Sequence, residues 1–379
     1  MRAAIYDQYG GAEVLQVRDV DDPPVGPDTV LVRARATSVN PVDWKIREGY
    51  LQGAYPHHLP IIPGWDVAGV VEAVGPSVRT GLKVGDEVFG YVRRDDVAFG
   101  TTAELVPAPE RTVAPKPAGL SFEEAAALPL AGLTAYQALV EALEVKPGDR
   151  VLVHAASGGV GHLAVQIAVA LGAHVIGTAS AANLDRVRSL GAAEALDYAA
   201  GPVSEQLSEP VDAVLDLVGG DALADAPRQV KDQARIASVI EADTALGLGG
   251  RYVFVRPDRD GLAALTELVE TGRLRVDVPR PSGSTRSPKR TVPRSPGTPR
   301  ARSSSRSDAR PSPRGPFETL TPFAPQDRHF PRDTPAELVG RWPLGVRGGR
   351  RPSRRGRAHC GRPGPASPVR TRRRCRRRA

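Results

Sequence analysis

Cysteine is nearly absent from this chain of 379 residues: it has two, Cys360 and Cys375, and both lie near the C-terminal end. Residues 1–280 contain none, which excludes disulfides and thiolate metal sites from that part of the chain. The sequence also lacks an apolar run long enough to cross a membrane and a signal-peptide pattern at its start. We therefore predict a cytoplasmic protein that does not bind membranes.

Positive charge is scarce over most of the chain. Residues 281–379 hold 26 of the 51 Lys and Arg but only 5 of the 43 Asp and Glu, so their net charge is +21. Residues 1–280 therefore carry −13, although the whole chain carries +8. An acidic body gives no reason to expect a nucleic-acid partner. The length of the chain predicts two or three domains.

A glycine-rich turn, His-Ala-Ala-Ser-Gly-Gly-Val-Gly over residues 154–161, separates two apolar segments. This pattern predicts a strand, a tight turn and a helix whose free N–H groups and dipole favour a phosphate. Ala156 occupies the place of the first glycine in the dinucleotide pattern G-x-G-x-x-G. We expect Gly158 and Gly159 to admit a pyrophosphate, and Gly161 to let the helix approach the strand. An ordinary strand-to-helix turn is the alternative.

Six short apolar segments support the first interpretation, because they recur at the spacing of strand–helix units. These segments are Val151–Val153, His174–Thr178, Ala195–Asp197, Ala213–Leu217, Arg235–Val239 and Tyr252–Val255. Six parallel strands are typical of a doubly wound, dinucleotide-binding sheet. The sequence therefore predicts the α/β class, with a nucleotide-binding domain over residues 121–258.

Residues 1–120 show many short strand patterns that Gly and Pro separate, which predicts a small barrel or sandwich. The strand patterns are Ala3–Tyr6, Leu15–Val17, Val30–Thr37, Gly69–Val74, Glu87–Val92 and Ala103–Val106. Ser121 and Glu124 are spaced as a capping box at the start of a helix over residues 122–128. A second helix is predicted over residues 132–143.

Eight motifs follow one another along residues 1–280. They are Ser38-Val-Asn-Pro-Val-Asp43, Pro63-Gly-Trp-Asp-Val-Ala-Gly-Val-Val-Glu-Ala-Val-Gly75, Gly132-Leu-Thr-Ala-Tyr136, Lys146-Pro-Gly-Asp-Arg-Val151, Ala155-Ala-Ser-Gly-Gly-Val-Gly161, Leu190-Gly-Ala192, Asp197-Tyr198 and Asp216-Leu-Val-Gly219. In type and order they resemble the medium-chain dehydrogenase/reductase superfamily, and within it the zinc-independent quinone oxidoreductase branch. The resemblance implies a GroES-like barrel domain (1–120), a Rossmann domain (121–258) and an incomplete return to the barrel (259–280).

The same resemblance locates the positions of zinc ligands in other members. Zinc members have a Cys at the position of Asn40 and a His at that of Trp65, and neither residue present here is a usual zinc ligand. We therefore predict that no metal is bound. Asn40 is the predicted catalytic residue, which would donate its amide N–H to the substrate carbonyl oxygen. The alternative is that Asn40 only caps the turn before Pro41.

A substrate pocket is predicted around the same loops. Its expected residues are Asp43, Tyr50, Trp65 and Tyr91. Asp43 is expected to hold its loop and not to act as a base. Aromatic side chains in barrel loops more often serve packing, and that alternative stays open for Tyr50, Trp65 and Tyr91.

The predicted cofactor is NADPH. The second strand of the nucleotide domain ends at Ser180 without the carboxylate that binds the ribose of NAD, and Arg186 follows nearby, which suits a 2′-phosphate. A solvated helix face is the alternative for Arg186. By resemblance, Ser180 and Tyr198 lie near the adenosine phosphate and Thr134 near the nicotinamide. The full predicted cofactor set is Thr134, Ala156, Ser157, Gly158, Gly159, Val160, Gly161, Ser180, Arg186, Tyr198 and Val218.

The reaction that the resemblance implies is hydride transfer from NADPH to a quinone or an α,β-unsaturated carbonyl, in which the cofactor supplies the chemistry. One alternative is a non-catalytic NADPH-binding relic or sensor. A less favoured alternative is a nucleic-acid binder that uses its basic C-terminal region. Relatives often form homodimers through the last strand of the nucleotide sheet, here Tyr252–Val255.

Two departures from the family pattern bear on the fold. Gln233-Ala234 replaces a Gly-Gly turn before the fifth strand, so strain is expected if that turn needs a positive φ. The helix and strand that normally complete the barrel are not recognisable after Pro279, which would leave an edge of the barrel open.

Residues 281–379 have a composition that cannot form a core: no Ile, 17 of the 36 Pro, and one Lys beside 25 Arg. We predict a disordered basic tail. One hypothesis makes it a nucleic-acid-binding arm. We prefer another, in which it is the product of a shifted reading frame in a GC-rich gene.

Overall fold

The computed structural model of the chain describes residues 1–278. Within them, a mainly antiparallel N-terminal part precedes a parallel α/β part, so the predicted fold class is confirmed. The domain limits at residues 120 and 258 remain predictions. The tail predicted over residues 281–379, with its possible frameshift, lies outside the described residues.

The N-terminal part contains nine short strands. They are β1 (Arg2–Ile5), β2 (Gln16–Asp19), β3 (Thr29–Ala36), β4 (His57–Ile62), β5 (Asp66–Val74), β6 (Glu87–Tyr91), β7 (Val97–Phe99), β8 (Leu105–Pro109) and β9 (Val113–Pro115). Five of them pair antiparallel in the order β8-β3-β5-β6-β9, around a core dominated by valines such as Val32, Val67 and Val88. The sequence prediction missed β4, which Pro60 interrupts, and the three-residue strands β7 and β9.

Helix α1 (Pro41–Arg47) lies within the N-terminal part, between β3 and β4. Helices α2 (Phe122–Ala127) and α3 (Pro129–Tyr136) connect the two parts of the fold. The predicted capping box is confirmed, because the N–H of Glu124 donates to Ser121 Oγ at 3.2 Å and the N–H of Ser121 donates to Glu124 Oε2 at 2.9 Å. The helix predicted over 132–143 instead consists of α3 and a π-helical stretch, Gln137–Ala142.

The C-terminal part is built on six parallel strands, as predicted. They are β10 (Arg150–Val153), β11 (His174–Ala179), β12 (Glu194–Asp197), β13 (Ala213–Asp216), β14 (Ile236–Ser238) and β15 (Arg251–Tyr252), in the order β12-β11-β10-β13-β14-β15. The order reverses between β10 and β13, which places a crevice at their carboxyl ends. The helices of this part are α4 (Gly161–Ala170), α5 (Leu184–Ser189), α6 (Val203–Gln206), α7 (Gly220–Gln229) and α8 (Ala242–Gly247).

Of two predictions about the last strands, the bounds of the final strand were wrong, and the condition for strain at Gln233-Ala234 is not met. Gln233 and Ala234 lie in a short 3₁₀ turn capped by Asp232 and have ordinary negative φ values, so no strain arises there. The last strand ends at Tyr252 and not at Val255, because the chain leaves the sheet and Phe254 packs against Tyr55 of the N-terminal part.

The chain then returns to the N-terminal part through α9 (Arg259–Glu270), whose buried Leu262 and Leu265 face α3 and β9. The segment Leu274–Val278, which follows α9, is irregular. It is held instead by a side chain: Gln166 Nε2 donates to the carbonyl of Arg275 at 3.1 Å, and the N–H of Arg275 donates to Gln166 Oε1 at 3.0 Å.

Candidate functional site

The glycine turn after β10 has the geometry that the sequence predicts. A Cβ at Gly161 would lie 2.2 Å from the carbonyl oxygen of Ala155, so only glycine lets α4 begin this close to the turn. A Cβ at Gly159 would meet no atom within 4 Å, and one at Gly158 would meet only Ala155 O, at 3.2 Å. This open backbone next to the N-terminus of α4 fits a pyrophosphate.

The left-handed residue of this turn is Ala155, with φ of 47°, and not a glycine. Two hydrogen bonds to β11 hold it in place: the N–H of Ala155 donates to Thr178 Oγ1 at 3.1 Å, and the N–H of Ala156 donates to the carbonyl of Thr178 at 2.8 Å. The substitution of the first motif glycine is therefore compatible with a fixed turn, because Ala156 is buried and anchored.

Three of the other predicted cofactor residues lie at the same edge of the sheet. Ser180 follows β11, Tyr198 follows β12 and Val218 follows β13, so all three lie at carboxyl ends of parallel strands. Thr134 lies on α3, where it is nearly buried and donates to the carbonyl of Leu130 at 2.7 Å. This is the place where open α/β sheets bind ligands.

Arg186 is less free than the sequence suggests. Its guanidinium lies 3.1 Å from the carboxylate of Asp277, in the irregular segment that follows α9. Arg188, on the same helix, pairs with Asp185 at 2.9 Å. A 2′-phosphate at Arg186 would therefore compete with Asp277.

A buried cluster that the sequence did not indicate supports the loop at Val218. The ring of His154 lies between Asp216 Oδ1, 3.2 Å from Nδ1, and Gln229 Oε1, 3.0 Å from Nε2. Asp216 also accepts the N–H groups of Val218 and Gly219, both at 3.1 Å. Although burial opposes it, hydrogen bonds from His154, Ser238 and the N–H of Gly219 lower the pKa of Asp216.

A second buried carboxylate, Asp66, lies in the N-terminal part next to Trp65, one of the two positions where zinc-dependent members have ligands. Ser38 Oγ donates to Asp66 Oδ2 at 2.6 Å, Asn40 Nδ2 donates to the same oxygen at 2.9 Å, and the N–H of Leu130 donates to Oδ1 at 2.9 Å. Asn40 Nδ2 also donates to Ser38 Oγ at 3.2 Å. Both amide protons of Asn40 are therefore engaged by protein atoms.

Asp43 holds the loop of Asn40, because Asp43 Oδ2 accepts the N–H of Asn40 at 2.7 Å at the start of α1. Burial raises the pKa of both Asp43 and Asp66 to about 7. Asp43 Oδ1 has no hydrogen-bond partner among the described residues, and neither do the buried hydroxyls of Tyr6 and Tyr91. Asp43 therefore lies in a poorly solvated and incompletely hydrogen-bonded environment, whereas both oxygens of Asp66 accept hydrogen bonds.

An aromatic cluster adjoins these acids. The ring of Trp65 lies 5.9 Å from that of Tyr91 and 6.4 Å from that of Tyr55, and Tyr55 in turn lies 6.1 Å from Phe254. Of the predicted pocket residues, the structure brings together Asp43, Trp65 and Tyr91. It places Tyr50 elsewhere: Tyr50 is 53% exposed and packs edge-on against Trp44.

Comparison with known proteins decides the family. The chain matches the sequence models of the alcohol dehydrogenase GroES-like domain over residues 26–118 and of zinc-binding dehydrogenase over residues 159–240. It is 38% identical over 283 residues to the chloroplastic NADPH-dependent alkenal/one oxidoreductase of Arabidopsis thaliana, an overlap of 73% of this chain and 71% of that protein.

Two solved structures agree with that match. The quinone oxidoreductase from Coxiella burnetii superposes with a TM-score of 0.67 and 36% identity over 73% of this chain and 90% of its own. The Escherichia coli quinone oxidoreductase complexed with NADPH gives a TM-score of 0.63 and 28% identity over 74% of this chain and 91% of its own. The chain belongs to the quinone oxidoreductase branch of the medium-chain dehydrogenase/reductase superfamily.

The chain differs from the zinc-dependent members of this superfamily at the two positions where those members have zinc ligands. Between residues 1 and 278, no three His, Cys, Asp or Glu side chains converge in a way that could hold a metal ion. Asn40 and Trp65 occupy the expected ligand positions, and Asp66 is already bonded to protein donors. Nor does the described part of the chain contain a helix that is long and apolar enough to span a membrane.

Tyr55, Arg93 and Phe254 join the site of this oxidoreductase-family chain, although the sequence did not single them out. Tyr55 Oη accepts a hydrogen bond of 2.7 Å from Arg93 Nη1, and Phe254 comes from the segment beyond β15. The closeness of Tyr55 to Trp65 in the sequence is the one feature that could have suggested Tyr55. Nothing in the local pattern marks Arg93 or Phe254.

Proposed function

We propose that the chain is an oxidoreductase that reduces a quinone or an α,β-unsaturated carbonyl with NADPH. One observation carries the proposal: an open glycine turn at a parallel strand edge occurs with an aromatic site in which Asn40 and Trp65 replace metal ligands. Such a site suits acceptors whose conjugation spreads the developing negative charge. The relatives named for alkenal/one and quinone reduction support the same reaction class.

NADPH supplies a hydride when bound. Gly158 and Gly159 would admit its pyrophosphate, the N-terminus of α4 would face the phosphate charge, and Thr134 would lie near the nicotinamide. Ser180 and Arg186 would bind the 2′-phosphate, which requires Arg186 to exchange its ion pair with Asp277. The remaining members of the predicted cofactor set are Ala156, Ser157, Val160, Gly161, Tyr198 and Val218.

Asn40 is our candidate for the residue that binds the reacting carbonyl oxygen. Its amide would exchange the longer of its two bonds, the 3.2 Å bond to Ser38 Oγ, for one to the acceptor. The exchange leaves no carboxylate unpaired, because Ser38 keeps its own 2.6 Å bond to Asp66. Asp43 positions Asn40 through the backbone and does not touch the acceptor.

A homodimer is part of the proposal. β15 lies at one end of the six-stranded sheet, and strand pairing across that edge would join two copies. Light scattering on the purified chain would test it, because a monomer mass at all concentrations would contradict the proposed dimer.

The test begins with binding and continues with turnover. Fluorescence titrations would compare NADPH with NADH, and NADPH oxidation would then be followed with a naphthoquinone and with an alkenone. We expect tighter binding of NADPH and reduction of at least one acceptor. Asn40→Ala should lower kcat about 100-fold without a change in NADPH affinity. NADPH binding without reduction of either acceptor would contradict the proposal and favour a non-catalytic relic or sensor.

A further inference from the structure

Arg93 lies among three aromatic rings where the two parts of the fold meet. Its guanidinium carbon lies 5.6 Å from the ring centroid of Tyr55, 5.9 Å from that of Tyr91 and 5.3 Å from that of Phe254. Tyr55 and Tyr91 belong to the N-terminal part, whereas Phe254 follows the last strand of the parallel sheet. Rings at these distances attract the cation.

The hydrogen-bonding capacity of Arg93 is largely unused. A guanidinium has five N–H donors, and the one bond of Arg93 to another described residue runs from Nη1 to Tyr55 Oη at 2.7 Å. No carboxylate of residues 1–278 lies within salt-bridge distance of it. The nearby acids have other partners, since Asp95 pairs with Arg111 at 3.6 Å and Asp96 pairs with Arg94 at 3.4 Å.

The position of Arg93 relates it to the acceptor and not to the phosphates of the cofactor. Tyr91 contacts Trp65, and Trp65 precedes Asp66, which binds Asn40. Arg93 is therefore linked through Tyr91 and Trp65 to the neighbourhood of the residue proposed to hold the reacting carbonyl. A group bound at Arg93 would belong to the other end of a planar acceptor.

We propose that Arg93 binds a carboxylate on the acceptor, so that the preferred substrates are α,β-unsaturated ketones that carry a carboxylate. The half-buried rings of Tyr55 and Phe254 would hold the planar conjugated part, and the free edge of the guanidinium would form in-plane hydrogen bonds to both carboxylate oxygens. This local cation matters because residues 1–280 carry a net charge of −13, which otherwise disfavours anionic substrates. The inference rests on the proposed function and specifies its substrate class.

The experiment compares two acceptors that differ only in this group, trans-3-benzoylacrylate and its methyl ester. Their intrinsic reactivities cancel when the acid-to-ester ratio of kcat/KM is compared between protein variants. We expect Arg93→Gln to lower this ratio about 10- to 100-fold while ester reduction persists, and Arg93→Lys to retain part of it. Arg111→Gln, which removes an exposed ion-paired arginine, should leave the ratio unchanged.

A binding measurement separates this inference from the proposed function. 3-Benzoylpropionate, the saturated keto acid, cannot be reduced at a double bond, so its affinity for the NADP⁺-loaded full chain can be measured by calorimetry without turnover. If no acceptor is reduced but Arg93→Gln weakens this binding at least tenfold, the carboxylate site stands and the proposed function fails. An unchanged ratio and unchanged keto-acid binding in Arg93→Gln would overturn the inference.

Discussion

Each half of the site, the nucleotide half around the turn after β10 and the acceptor half around Asn40, buries a carboxylate, and Asp216 and Asp43 differ in their hydrogen bonding. In the nucleotide half, the fully buried Asp216 has donors on every side, among them His154 and the N–H of Gly219. In the acceptor half, Asp43 Oδ1 and the hydroxyl of Tyr91 are buried without a partner in the described part of the chain. Burial thus raises the pKa of Asp43 to about 7, whereas hydrogen bonds that overcome burial lower that of Asp216.

The contrast matches what each half must recognise. A dinucleotide is the same molecule at every turnover, so folding can complete its loops in advance with internal hydrogen bonds. An acceptor site gains from donors that remain available, such as the N–H groups of Arg93. Incomplete hydrogen bonding reduces stability, because each unsatisfied buried group retains its desolvation cost of about 1–3 kcal/mol.

The largest effect is expected when the nucleotide half is made to resemble the acceptor half. His154→Ala would leave buried Asp216 and Gln229 without their ring partner, and should lower the free energy of unfolding by about 3–5 kcal/mol. Urea denaturation measures it. His174→Ala is the control, because His174 pairs with Glu194 at the surface, and it should change stability by less than about 1 kcal/mol. Equal losses would contradict the contrast.

A pair of glycine substitutions separates packing from ligand space within the nucleotide half. Gly161→Ala should destabilise the chain by about 3 kcal/mol, because its Cβ would meet a carbonyl oxygen at 2.2 Å. Gly159→Ala should leave stability unchanged, since its Cβ meets nothing within 4 Å, but should weaken NADPH binding at least tenfold. Denaturation and NADPH titration on both variants distinguish the two roles. If Gly159→Ala bound NADPH normally, the pyrophosphate would have to lie elsewhere.

The acceptor half should show its incomplete hydrogen bonding as a dependence of stability on pH. The folded chain holds the Asp43 proton up to a pKa of about 7, whereas the unfolded chain releases it near the ordinary value of 3.8. The unfolding free energy should therefore fall as pH rises from about 4 to about 7 and level off above.

Asp43→Asn removes this contribution, so its stability should fall less over that interval, by on the order of 2 kcal/mol. Thermal denaturation at pH 5 and pH 8 compares the variant with the wild type and with the exposed Asp28→Asn. A pH dependence in Asp43→Asn identical to that of the wild type would show that Asp43 is solvated. Asp66 remains in every variant, so some pH dependence should persist.

The smallest expected effect concerns cofactor choice. Arg186→Gln should reduce the preference for NADPH over NADH about tenfold, since a surface guanidinium–phosphate contact contributes about 1–2 kcal/mol. Arg188→Gln, on the same helix but paired with Asp185, is the matched control and should change nothing. Titrations with both nucleotides measure the ratio. Equal effects of the two substitutions would indicate that only overall charge matters.

Local patterns sufficed to predict much of the fold. Six strands of the nucleotide sheet and the turn before α4 are encoded by short apolar runs and by glycines, which act within a few residues. The limits of these elements were less predictable. The last strand is shorter than its β-branched sequence suggests, because Phe254 leaves the sheet to reach Tyr55, a contact almost 200 positions away.

The bonds of the candidate site were less predictable than its motif residues, and the sequence did not indicate Tyr55, Arg93 or Phe254. Asn40 was identified from its position, yet the sequence could not show that its amide is shared between Ser38 and Asp66. Asp66 also accepts a bond from Leu130, 64 positions away. Such pairings depend on how the two parts of the fold pack together, and neither periodicity nor a motif encodes them.

The glutamine that holds the segment after α9 has a counterpart at the segment before it. Gln137 Nε2 donates to the carbonyl of Arg256 at 3.0 Å, and the N–H of Arg256 donates to Gln137 Oε1 at 3.1 Å, as Gln166 does with Arg275. A primary amide carries the same donor and acceptor as a peptide group. Each glutamine side chain therefore pairs with the backbone of its arginine as a residue of a neighbouring strand would.

Because of these backbone hydrogen bonds, the positions of Gln137 and Gln166 are sensitive to single-base mutations. Codons for glutamine and glutamate differ by a single base, and the exchange to Glu would replace the amide donor with a carboxylate that repels the backbone carbonyl it should bind. A change that looks conservative in a sequence comparison would thus release the chain on either side of α9, including the segment that brings Phe254 to Arg93.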